Sequence, residues 1–157
     1  MSVFFSAREL AEIAVQIEDN GIAFYGSLAR QSKDAKTAAV YDYLAGQEKQ
    51  HLVTFQSLLR GLEVPRVPES LPGEEPAYVR ALASGRVFVD ASVARAVKSD
   101  SEAIELGLAA EKDSILLYYE LRSAVKETDR AAVDRIIAEE KSHLVELTEL
   151  KGRLGQR

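Results

Sequence analysis

Apolar residues recur at helical spacing along four long stretches of the chain, with polar residues between them. In the first, at ~100° per residue, Leu10, Ala11, Ala14, Val15, Ile22, Tyr25 and Leu28 share one face. Glu9, Glu12, Gln16, Asp19, Asn20, Ser27 and Arg30 fall on the other. Ser6-x-x-Glu9 has the form of a capping box, so the first helix is expected from Ser6 to about Arg30. The second follows the polar turn Ser32-Lys33-Asp34, with Asp34 as N-cap, and ends near Gly61 as the C′ residue. The third opens on another capping-box phrase, Ser99-x-x-Glu102, and ends near Lys126. The fourth is expected to be capped by Thr128 or Asp129 and to run to about Leu150, before Gly152.

Within each pair of helices the turn is short, which predicts two antiparallel hairpins. Residues 62–99 between the hairpins hold all four prolines, Pro65, Pro68, Pro72 and Pro76. That stretch is too long for a turn and reads as a crossover running along the bundle. Residues 77–84 are expected to form a short helix. The apolar segment Arg86-Val87-Phe88-Val89 is expected to dock on the bundle or on a second subunit, which makes a homodimer the expected assembly. The expected fold is all-α: one four-helix bundle domain spanning residues 1–157, with one long crossover between its second and third helices.

The second level of pattern is an internal repeat. The chain has two histidines, and each closes the same phrase: Glu48-Lys49-Gln50-His51-Leu52 and Glu140-Lys141-Ser142-His143-Leu144. Upstream of them, Glu18 and Glu111 are each followed by an Ile at +4 (Ile22, Ile115), a Tyr at +7 (Tyr25, Tyr118) and a Leu at +10 (Leu28, Leu121). A Glu and a His three residues apart sit on one helix face and can point at one shared object. Helical angle puts Glu18 at the centre of the first apolar face and Glu111 among Ile104, Gly107, Leu108, Ile115, Tyr118 and Leu121. Glu48 and His51 share a face with Tyr41, Leu44, Leu52, Phe55 and Leu59. Glu140 and His143 share one with Val133, Ile136, Ile137, Leu144 and Leu147. All six point inward.

Four carboxylates in one core need a counter-charge. Only Arg122 and Lys151, near helix ends, lie on the same faces, too few to pair them. Two divalent cations would balance the four glutamates, with neutral imidazoles completing the ligand sets. Tyr25 and Tyr118 lie about 20° around the helix from Glu18 and Glu111. They serve either as hydrogen-bond donors to the ligand carboxylates or as core packing. Gly21 and Gly107 face the core near the site, leaving room for a small molecule or for close helix contact.

Composition narrows the chemistry further. The 157 residues carry a net charge of −5 with mixed signs, and no basic stripe marks a nucleic-acid partner. No apolar run is long enough to span a membrane. The start, MSVFFSARELAE, lacks the features of a signal peptide, so a cytoplasmic protein is expected. There is no cysteine, which excludes disulfides, thiol chemistry and thiolate-held metals.

Glu18…Tyr25, Glu48-x-x-His51, Glu111…Tyr118 and Glu140-x-x-His143 together resemble the rubrerythrin-like branch of the ferritin-like superfamily over residues 6–151. The resemblance implies a ferritin-like bundle holding two iron ions, or iron with manganese. Glu48 and Glu140 would bridge the metals; Glu18 with His51 and Glu111 with His143 would be terminal ligands. It further implies an oxidoreductase of ferroxidase or peroxidase type that reacts with peroxide or dioxygen. Non-catalytic iron binding, storage or sequestration is the alternative. Two features depart from the family. The chain has no Cys-x-x-Cys rubredoxin knuckle, so electrons would come from a separate donor protein. Ser114 also stands where rubrerythrins carry a further glutamate, three residues beyond the third-helix ligand.

Overall fold

The structure, a computed structural model, describes residues 6–62 and 90–156. The expected helix at 77–84 and the apolar segment at 86–89 lie outside the described residues. The described chain forms five helices and no strand. They are α1 (Ala7–Gln31), α2 (Ala35–Gly61), α3 (Ala91–Ala96), α4 (Asp100–Ala124) and α5 (Glu127–Leu154). None is long and apolar enough to cross a membrane.

Helix starts follow the capping residues in three of the four long helices. The Ser6 hydroxyl accepts from Glu9 N at 3.2 Å, and the Glu9 carboxylate accepts from Ser6 N at 2.9 Å, which completes the capping box. Asp34 accepts from Thr37 N and from the Thr37 hydroxyl, at 3.0 and 2.7 Å. Ser99 caps α4 through Glu102 N, but Glu102 reaches one residue further back, to Lys98 N, so the box is not closed on Ser99. α5 departs from expectation. It starts at Glu127, before Thr128 and Asp129, with Lys126 as an N-cap that offers no side-chain acceptor. The acidic Glu127 and Asp129 in its first turn still complement the helix dipole.

Helix ends differ more. Gly61 is the last residue of α2 rather than the residue beyond it. α4 stops at Ala124, two residues before Lys126. α5 runs through Gly152 to Leu154 and ends on Gly155. The short helix α3 was not expected. It is capped by Asp90, which accepts from Ser92 N and Val93 N, and it packs on α1 through the buried Ala94. That contact explains why Ser27, read as part of the polar face of α1, is buried. Gln31 bridges the Ser27 hydroxyl, at 2.9 Å, to the Ala94 carbonyl of α3, at 3.3 Å.

α1 packs on α2 and α4 on α5; across the bundle, α1 meets α4 and α2 meets α5. Tyr25 of α1 meets Glu111 of α4 while Tyr118 of α4 meets Glu18 of α1, so these helices run antiparallel and a local twofold relates the hairpins. α2 therefore ends at the opposite end of the bundle from the start of α4. This is the ferritin-like arrangement, a four-helix bundle with one long crossover.

The apolar interior lies in two halves. One is built on Leu10, Ala14, Phe55, Tyr118, Leu121, Val133 and Ile136, the other on Phe24, Tyr25, Leu28, Tyr41, Leu44, Ile104 and Leu147. Each half contributes one tyrosine to the polar cluster that lies among them.

Candidate metal centre

All six residues singled out by the repeat converge at mid-bundle. Glu18, Glu48, His51, Glu111, Glu140 and His143 are each at most 4% exposed. Their ligand atoms form two groups of four: Glu18, Glu48, His51 and Glu140 in one, Glu48, Glu111, Glu140 and His143 in the other. Glu48 and Glu140 belong to both.

The carboxylate oxygens divide accordingly. Glu48 turns Oε2 to His51 Nδ1 at 3.2 Å and Oε1 to His143 Nδ1 at 3.6 Å. Glu140 turns Oε1 to His51 Nδ1 at 3.2 Å and Oε2 to His143 Nδ1 at 2.9 Å. Each therefore offers one oxygen to either side, the geometry of a bridging carboxylate. Glu18 and Glu111 offer a single oxygen inward. Glu18 Oε2 lies 3.5 Å from His51 Nδ1, and Glu111 Oε2 lies 3.5 Å from His143 Nδ1. Their outer oxygens are occupied: Tyr118 donates to Glu18 Oε1, and Tyr25 donates to Glu111 Oε1. Each phenol thus orients the carboxylate of the opposite hairpin, not the glutamate of its own helix. The two imidazoles are nearly parallel, with centroids 5.5 Å apart and planes inclined by 20°.

Several of these atoms are buried without a hydrogen-bond partner. Glu18 Oε2, Glu140 Oε2 and His143 Nδ1 are fully enclosed and make no aligned hydrogen bond. Orphaned acceptors in a protein interior are rare, and here they aim at the points the two clusters surround. The cations found on these faces do not neutralise them. Arg122 pairs with Asp134 and Lys151 with Glu105, both at the surface. The donor set, carboxylate oxygen with imidazole nitrogen and no thiolate, suits iron or manganese.

Crowding leaves its mark on proton affinity. Burial, reinforced by Glu48 and Glu140, pushes the Glu18 carboxyl well above the usual range. Burial with Glu48 and Glu111 pushes Glu140 up to about 8. For Glu111 burial also acts upward, but contacts with His143, Glu140 and Tyr25 outweigh it and hold the group below its ordinary value. Burial pulls both histidines down, and the carboxylates win. Glu111 and Glu140 carry His143 up to about 10, and Glu140, Glu18 and Glu48 carry His51 well above the imidazole range. Tyr25 and Tyr118 are raised by burial and then by their carboxylate partners, so both stay neutral donors.

A cavity of about 20 Å³ adjoins the cluster. It is bounded by the four glutamates, by Gly21, Phe24 and Tyr25 of α1, and by Ala110 and Ser114 of α4. That is room for about one water-sized molecule. Neither histidine lines it, so the open side of the cluster is the α1–α4 side. Gly21 makes space for Glu48: a Cβ there would stand 3.3 Å from Glu48 Cγ. Gly107 makes space for Tyr25, whose hydroxyl would be 3.2 Å from such a Cβ. The Ser114 hydroxyl donates to the Ala110 carbonyl of its own helix at 2.9 Å and adds no charge.

One participant escaped the sequence reading. Glu139 accepts from, or pairs with, His51 Nε2 at 2.8 Å, on the ring edge away from the cluster. The signal available was the doubled glutamate Glu139-Glu140, but helical angle places Glu139 about 100° off the inward face of α5, among solvent-facing positions.

Comparisons with known proteins agree with this geometry. The rubrerythrin family profile matches residues 9–151. A Thermotoga maritima structure assigned to the ferritin-like diiron-carboxylate class superposes with a TM-score of 0.73 at 25% identity. The match covers 96% of this chain and 97% of that one. No curated protein matches the sequence. A match over nearly the whole length identifies the lineage: the chain belongs to the rubrerythrin family.

Proposed function

We propose that this protein is a non-haem di-iron, or iron–manganese, oxidoreductase that reacts with peroxide or dioxygen. The observation that carries the reading is the split of oxygens: Glu48 and Glu140 each present one oxygen to either imidazole. Glu18 and Glu111 present only one oxygen inward. Such a set would hold two cations, with Glu48 and Glu140 shared between them. Glu18 and His51 would complete one position, Glu111 and His143 the other. Two divalent irons held there would supply the two electrons that, with two protons from solvent, reduce one peroxide to two waters.

The chain's own residues shape what can reach that pair. The small cavity on the α1–α4 side has room for about one water-sized molecule, a size that suits dioxygen or peroxide better than an organic substrate. Phe24 and Ile17 keep its wall apolar, while Tyr25 and Tyr118 fix the terminal carboxylates. Ser114 leaves the α4 side of the cavity without a further carboxylate, so no other glutamate of α4 is positioned to exchange for Glu111.

Two measurements test the proposal. Elemental analysis of protein purified without added metal should give about two iron or manganese per chain. Stopped-flow mixing of the anaerobic iron(II) protein with peroxide or dioxygen should show oxidation faster than that of free iron(II). Two bound irons with no acceleration by either oxidant would leave a metal-binding protein; many irons per chain would point to storage.

A further inference from the structure

The repeat makes the two halves of the centre equivalent in their ligands but not in what stands behind the histidines. His51 Nε2 lies 2.8 Å from Glu139 Oε2, on the half-exposed side of α5. Among the described residues, no side chain makes a hydrogen bond or ion pair with His143 Nε2; the ion-pair contacts of that ring are through Nδ1. The repeat shows the origin of the difference. The phrases are offset by 92 residues, so the counterpart of Glu139 is Gln47, an uncharged amide. The break in symmetry is thus written into the sequence, one residue before each bridging glutamate.

A carboxylate behind an imidazole has two effects. It accepts the Nε2 hydrogen, so that when a cation displaces the other ring proton the Nδ1 lone pair is left turned toward Glu18, Glu48 and Glu140. It also makes the imidazole a stronger donor to a cation. We infer that Glu139 is a positioning residue that makes the Glu18/His51 half of the centre the tighter metal position, filled before the Glu111/His143 half. Glu139 touches no metal position itself; it acts through His51. The inference rests on the metal-centre reading above and deepens it, since it gives the two positions an order.

Cobalt(II) provides a test that does not depend on turnover, because its visible d–d bands report each bound ion separately. The metal-free protein, titrated with cobalt(II), should take up two equivalents in two resolved steps. Glu139→Gln keeps the size and loses the charge. It should weaken the first step about tenfold or more and leave the second near its original value. It should also shift the band of the first-bound ion. In a His51→Ala background the same Glu139→Gln change should have no further effect. Glu139 is half exposed, so melting of the metal-free variant should match the parent and exclude a general loss of folding. An unchanged titration of Glu139→Gln, or an equal loss at both steps, would overturn the inference while leaving the metal centre intact. Failure of the parent protein to bind cobalt(II) at all would instead remove the metal-centre reading on which it rests.

Discussion

At the scale of single residues, the centre is tied together across the bundle, Tyr25 of α1 donating to Glu111 of α4 and Tyr118 of α4 to Glu18 of α1. The repeat and helical angle put all six Glu and His side chains inward, and all six are buried. The same angle placed Tyr25 over Glu18, yet its hydroxyl bonds Glu111 across the bundle. Helix periodicity locates a side chain on its own helix; the register between helices is set by packing that one helix's pattern does not contain. The pairing gives a direct prediction. Tyr25→Phe and Tyr118→Phe each leave a buried carboxylate oxygen without its donor and should each cost about 2 kcal/mol. Both should still bind two metals, because only the outer oxygen of the terminal glutamate is released. Tyr119→Phe is the control. That phenol is 43% exposed and, among the described residues, accepts from Lys141 Nζ alone, so its loss should cost under about 0.5 kcal/mol. Urea unfolding of the three variants, with metal counted in each, checks the contrast.

At the scale of elements, starts were read better than ends. Ser6, Asp34 and Ser99 each satisfy a first-turn amide with their side chains, a local chemistry visible in three or four consecutive residues. Ends carry weaker signals here. Gly61 and Gly152 both looked like stops, but both are helical, and Val125 packs into the core just past the end of α4. α5 is the exception among starts, with Lys126 at the N-cap in extended conformation and no side-chain acceptor. Lys126→Ser should therefore supply a missing cap and stabilise the protein by about 0.5–1 kcal/mol. Asp34→Ala removes a working cap and should destabilise by about 1 kcal/mol. A shift of the denaturation midpoint in opposite directions, at unchanged metal content, is the expected result. Lys126→Ser without any gain would mean that the first-turn amides of α5 are already satisfied by solvent.

At the scale of the whole molecule, the bundle gathers four carboxyl groups and two imidazoles in its interior, and the protons they hold make its stability and its metal binding depend on pH. Consider the protein stripped by a chelator. Glu140 sits at about 8 in the folded chain against an ordinary 4.5, and His143 at about 10 against 6.5. Both hold a proton more tightly folded than unfolded. Their contribution is therefore complete at low pH, below the unfolded values, and is lost as pH rises through about 8 and then about 10. The stripped protein should melt at progressively lower temperature across that window. Cations bound to these groups displace the protons and take over their role, so apparent metal affinity should rise with pH over the same range. The metal-loaded protein should melt higher throughout, because binding to the folded state adds stability by mass action. The gap between loaded and stripped midpoints should thus widen from pH 6 to pH 9. Paired thermal melts across that range, with proton release followed in weakly buffered solution during metal addition, measure both halves. A gap that stays constant with pH, or no proton release at pH 7, would show that the cation does not bind among Glu140 and His143.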